Sequence, residues 1–216
     1  MSITQNLIAL TKSLPKNVTL VAVSKTKPVE DLMEAYRAGH RIFGENKVQE
    51  MVHKWEQMPQ DINWHMIGHL QRNKVKYIAP FVALIHGVDS ERLLQEIDKQ
   101  AVKHQRIIPC LLQIHIAQES TKFGLSETEL DALIAKAINY PNVQLRGLMG
   151  MASFTEDTAQ IQKEFAVLKN IFDRVQSQLT GFDVLSMGMS GDYTLAIEQG
   201  STMIRVGSKI FGARNY

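Results

Sequence analysis

The sequence predicts an α/β fold, a single (β/α)8 TIM barrel, on three observations. Strand-like apolar runs alternate with stretches of helical period almost to the end of the chain. Eight such runs are rich in Val, Ile, Leu and Met without clean polar alternation, the pattern of a parallel sheet covered on both faces. The 216 residues suit eight compact units. An open doubly wound sheet is the alternative arrangement of the same elements.

Taken in order, the strands are expected at about Thr19–Lys25, Arg41–Glu45, Trp64–Leu70, Ala83–Val88, Pro109–Ile116, Gln144–Met151, Asp183–Met189 and Met203–Gly207. Between them, "PVEDLMEAYRAG", "SERLLQEIDKQAVKHQ", "SETELDALIAKAINYPN" and "TAQIQKEFAVLKNIFDRVQSQL" carry apolar residues three and four apart. Pro, Ser or Thr opens each, and Gly closes the first. These read as crossover helices. No Pro/Gly/Ser-rich linker, repeat or low-complexity segment divides the chain, so residues 1–216 are expected to form one domain.

Composition narrows the function. Apolar residues make up 44% of the chain, enough for one sizeable core. Lys plus Arg number 24 against 22 acidic residues, with no block of like charge and no basic run interleaved with aromatics. Nucleic acid is therefore not an expected partner. The single Cys110 excludes an internal disulfide and any CxxC metal site. The opening "MSITQNLIALTKSLPK" lacks the long apolar segment of a signal peptide or membrane span. A cytoplasmic protein with no membrane partner is the expectation, and a closed barrel permits a monomer.

In a barrel the active site lies where strands run into the loops at their C-terminal ends. Lys25 closes strand one on the same face as Val21 and Val23, because strand side chains alternate. If the valines point into the barrel, so does the lysine. Desolvation or neighbouring cations would there favour the neutral amine that a Schiff base with an aldehyde or ketone requires. The plainer reading is a lysine snorkelling from a strand end.

Ser190 and Gly191 follow strand seven, and Gly207 and Ser208 follow strand eight. Small residues at these two loops allow close backbone approach, and barrels often hold a phosphate there with a helix start beside it. The alternative is that the glycines only make tight turns. Arg205 lies two residues before Gly207, on the same face, and is expected either to meet a ligand or to pair with a core carboxylate. His65 and His69 form an HxxxH on a strand with no intervening glutamate, so no metal site is expected. Cys110 reads as an inert core thiol. Met149, Met151, Met187 and Met189 read as packing, with those nearest the strand ends free to line a pocket.

The stretches "VAVSKTKP", "FGENKVQE", "WHMIGHLQRNK", "LRGLMGM" and "LSMGMSGDYTLAIEQGSTMIRVGSKIFG" resemble the pyridoxal phosphate homeostasis proteins, which are similar to the barrel domain of alanine racemase. The resemblance runs from Val21 to Gly212. It implies a fold-type III barrel carrying pyridoxal 5′-phosphate as a Schiff base on Lys25. Arg205 would approach the pyridine nitrogen, Ser190, Gly207 and Ser208 would help hold the phosphate, and Asn46 would lie near the cofactor. One departure is visible at His115, where the family is expected to have an asparagine.

An arginine at the pyridine nitrogen would weaken the cofactor as an electron sink. The implied function is intracellular cofactor homeostasis, buffering or delivering pyridoxal phosphate, with apo-enzymes as recipients and no robust catalysis. A weak amino-acid racemase is the first alternative, and aldolase-type chemistry on a phosphorylated sugar also explains a lysine beside a phosphate loop.

Overall fold

The computed structural model describes residues 2–119 and 123–213. Among these, eight strands close into a barrel in chain order: β1 (Thr19–Val23), β2 (Ile42–Glu45), β3 (Asn63–Met66), β4 (Leu84–Val88), β5 (Ile108–Gln113), β6 (Val143–Met149), β7 (Val184–Met189) and β8 (Met203–Val206). Every neighbouring pair is parallel, and β8 returns to pair with β1. Closure rules out the open doubly wound sheet. All eight expected strands are present, several ending earlier than the apolar runs suggested. The third stops at Met66 rather than Leu70, because the chain then turns into a loop through Gly68.

The outer ring comprises α1 (Ile3–Ser13), α2 (Val29–Arg37), α3 (Val48–Gln57), α4 (Val75–Ile78), α5 (Glu91–Lys103), α6 (Glu127–Lys136), α7 (Thr158–Gln176), α8 (Tyr193–Glu198) and α9 (Ser208–Phe211). Local chemistry sets several boundaries. Ser126 caps α6 in a reciprocal capping box with Glu129. Asp157, one residue before the expected start, caps α7 by accepting from the amides of Ala159 and Gln160.

The N-terminal helix α1 was not among the expected crossovers. It is started by a capping box between Ser2 and Gln5 and packs against α2 and α9. Since α9 is a single turn, α1 supplies the missing cover over the β8–β1 seam. Its Thr4 amide donates to Glu34 at 2.9 Å and its Asn6 side chain to the Ile210 carbonyl at 3.1 Å. No helix among the described residues is long and apolar enough to cross a membrane.

Two apolar layers result from the strand alternation. Outward residues such as Ala22, Phe43, Trp64, Ile85, Leu112 and Ile204 pack beneath the helices. Inward residues Val21, Leu84, Leu111, Met149 and Met203 form a smaller plug inside the barrel. Above this plug polar side chains such as Lys25, Asn46, Gln113 and Arg205 join apolar ones in the lining, and there the interior opens as a cavity.

Candidate functional site

The cavity, of about 480 Å³, lies where the strands end and is lined by Lys25, Asn46, Ser190, Arg205, Gly207 and Ser208 together. All six expected residues therefore meet in one place. Val21 is fully buried in the inner plug and Val23 lines the cavity, so alternation carries Lys25 inward as expected. Asn46, just beyond β2, reaches the cavity from its neighbour strand. Gly68 makes room for it: a Cβ at that position would fall 2.5 Å from the Asn46 carbonyl oxygen.

Arg205 is buried at 4% exposure, and its partners are neutral oxygens. Its Nη1 donates to the Ser186 carbonyl at 2.9 Å and hydroxyl at 2.6 Å, and its Nη2 to the Gly150 carbonyl at 3.0 Å. The core carboxylate envisaged as its alternative partner is not in contact. Burial lowers its pKa to about 10, with the charge of Asp192 opposing that shift, so it remains a cation at neutral pH.

Sequence reasoning missed the groups behind it. His86 Nδ1 lies 3.1 Å from the Ser186 hydroxyl, and His86 Nε2 lies 3.1 Å from His65 Nδ1. A guanidinium only donates, so Ser186 accepts from Arg205. If the hydroxyl then gives its proton to His86, the contacts run in one direction to His65. Burial drives the pKa of His65 down to about 3 and that of His86 well below the usual imidazole range. Both rings are therefore neutral, and they back Arg205 through Ser186 without adding a charge beside it.

The two loops at the far side are built from small residues. The Gly207 amide donates to Ser190 Oγ at 3.1 Å, joining the loop after β7 to the loop after β8. A Cβ on Gly207 would lie only 3.0 Å from the Val23 carbonyl oxygen, whereas one on Gly191 would meet nothing within 4 Å. Gly207 thus permits close backbone packing and Gly191 leaves free space at the cavity edge. The helix after β7 begins at Tyr193, because Asp192 accepts from the Met189 amide and holds the intervening residues as a turn. Lys27 is committed to the carbonyls of Phe211 and Ala213, at 2.8 and 2.9 Å.

Around the mouth, His69 stacks on Phe123 with ring centroids 4.0 Å apart and turns Nδ1 to Asp89 at 3.3 Å. His65 and His69 thus serve different neighbours. Of the methionines, Met149 joins the inner plug, Met187 the outer layer, and Met151 and Met189 line the cavity. From β5 the cavity receives Gln113, whereas the His115 ring bonds the Glu119 carbonyl at 3.0 Å. Burial pushes the Cys110 thiol pKa up, consistent with an inert core residue.

Comparison with known proteins can now be set beside this geometry. The family described as alanine racemase, N-terminal domain, matches residues 1–215. The pyridoxal phosphate homeostasis protein of Vibrio alginolyticus is 42% identical over 207 residues, covering 94% of this chain and 89% of the relative. The chain belongs to the pyridoxal phosphate homeostasis protein family. The solved structure of PipY from Synechococcus elongatus PCC7942, with pyridoxal phosphate bound, superposes with a TM-score of 0.90 at 36% identity, covering 98% of this chain and all of that one. Alanine racemase from E. faecalis shares the fold at 17% identity and a TM-score of 0.76, and this chain spans 58% of it.

Proposed function

We propose that this protein holds pyridoxal 5′-phosphate on Lys25 and buffers or delivers it in the cytoplasm, as a single-domain monomer with apo-enzymes as recipients and no robust catalysis of its own. The observation that carries this reading is the meeting of Lys25, Arg205 and both small-residue loops in one cavity of about 480 Å³. The residues fit the cofactor's chemistry. Lys25 offers an amine, the Ser190–Gly191 and Gly207–Ser208 turns offer hydroxyls and close backbone for a phosphate, and Arg205 offers a cation for the ring nitrogen or an anionic oxygen.

When bound, the cofactor supplies an aldehyde electrophile and an electron-accepting ring. Arg205 does not readily surrender a proton, so it would leave the ring nitrogen unprotonated and the ring a weak acceptor. That supports storage over turnover. The relatives' shared name, and the bound cofactor in the PipY structure, support the same reading.

Absorbance of the purified protein, then borohydride reduction and peptide mapping, tests it. A yellow band and a reduced adduct on Lys25, both lost in Lys25→Ala, are expected. A colourless protein that added pyridoxal phosphate cannot restore would remove the proposal.

The family match to the alanine racemase domain favours weak racemization as the second reading. It requires an acid–base group on each side of the substrate α-carbon. Deuterium incorporation at the α-carbon of alanine in D₂O, above a Lys25→Ala control, would support it.

A further inference from the structure

Lys25 faces the cavity, while its flanking peptide groups are held from the opposite side of the sheet. Ser24 and Glu45 point outward, toward Glu50 and Lys54 on α3, and Lys54 is 3% exposed. The Lys54 ammonium donates to Glu45 Oε1 at 2.8 Å, to Glu50 Oε1 at 2.7 Å and to the Ser24 carbonyl at 2.8 Å. Ser24 Oγ donates to Glu45 at 2.6 Å, and the Thr26 amide donates to Glu50 at 2.6 Å.

The Ser24 carbonyl belongs to the peptide before Lys25, and the Thr26 amide to the peptide after it. Both peptide planes around the Lys25 Cα are therefore fixed by one ion cluster. Those planes set φ and ψ of Lys25, and so the direction of its Cα–Cβ bond. Thr26 itself adopts φ +65°, a region costly for a β-branched residue, directly after the amide that donates to Glu50.

Simple adhesion of α3 to the sheet does not need these contacts. An apolar trio would pack α3 against β1 and β2 without the desolvation cost of an ion cluster. What apolar side chains could not do is grip a carbonyl and an amide on either side of one lysine. We infer that Glu45, Glu50 and Lys54 are positioning residues that aim Lys25 into the cavity. The inference rests on the reading that the Lys25 amine receives the cofactor, and it names what prepares that amine.

Glu50→Ala removes the Thr26 acceptor and leaves Lys54 paired with Glu45, so the variant is expected to fold. Glu50→Gln keeps an acceptor oxygen and serves as the conservative control. Two measurements use the cofactor-free chain: hydrogen exchange at the Thr26 amide, and acetic anhydride labelling of Lys25 relative to the exposed Lys12, read by mass spectrometry. A third is the dissociation constant for pyridoxal phosphate.

In Glu50→Ala, exchange at Thr26 should quicken, the relative labelling of Lys25 should change, and the dissociation constant should rise roughly tenfold, the loss of about one charge-assisted hydrogen bond. Glu50→Gln should restore all three toward the parent values. A folded Glu50→Ala with parental Lys25 labelling and parental affinity would overturn the inference. Pyridoxal phosphate binding that survives Lys25→Ala undiminished would sink the reading that Lys25 receives the cofactor, leaving positioning to be decided by the labelling alone.

Discussion

Two buried cations, one on each side of the barrel wall, are handled in opposite ways. Lys54, on the outer side, is 3% exposed and matched by two carboxylates. Arg205, on the inner side, is 4% exposed and touches only carbonyls and a hydroxyl. Carboxylates neutralise the first charge within the protein. Neutral oxygens orient the second at the cavity wall without a carboxylate in contact. Burial of a cation is costly, and at Arg205 the charge of Asp192 offsets part of that cost, so the guanidinium stays charged beside the cavity.

The most severe way to break this contrast is Lys54→Met. Removing one member of a buried ion cluster leaves Glu45 without its counter-charge, and unfolding in urea should show a loss of about 3–5 kcal/mol. Arg205→Met should do the reverse: stability without cofactor stays within about 1 kcal/mol, while affinity for pyridoxal phosphate falls about a hundredfold by titration, near 2.7 kcal/mol. Equal losses of stability in the two variants would dissolve the comparison.

A smaller effect separates the two sides by pH. His65 has a folded pKa of about 3, below its ordinary 6.5, so its contribution to stability is complete above 6.5 and declines as the pH falls toward 3. Burial raises Glu45 from 4.5 to about 6, outweighing its contacts with Lys54 and Ser24, so its contribution is present below 4.5 and lost as the pH rises through 6. The two slopes have opposite sign between pH 4.5 and 6. His65→Asn should flatten the acid decline by about 1.4 kcal/mol per pH unit, and Glu45→Gln should steepen it, by denaturant melts across that range.

The parts of this molecule that sequence reveals are those governed by local order. The strands are legible because apolar runs and alternation encode them, and Lys25 and Arg205 because each sits at a fixed offset from inward neighbours. The cofactor assignment drew in addition on family resemblance. The positioning cluster was not legible. Glu50 and Lys54 stand four apart on a helix, a spacing that ordinarily marks a solvated face, and only packing against β1 and β2 buries Lys54 and leaves Glu50 part-exposed beside it. The support behind Arg205 was hidden for another reason. Its contacts join residues 21 and 100 positions apart, which no local window relates. The first helix was overlooked because it covers a seam instead of crossing between strands.

That seam joins Val21 to Arg205 through the β1–β8 pairing, the widest sequence separation in the sheet. Lys25 emerges early in synthesis, whereas Arg205 and Ser208 can reach it only after the last strand has been made and has docked on the first. A growing chain has the amine long before it has the cavity. Completion of the cavity therefore waits on ring closure, a slow long-range step, and coincides with the moment when the barrel is finished.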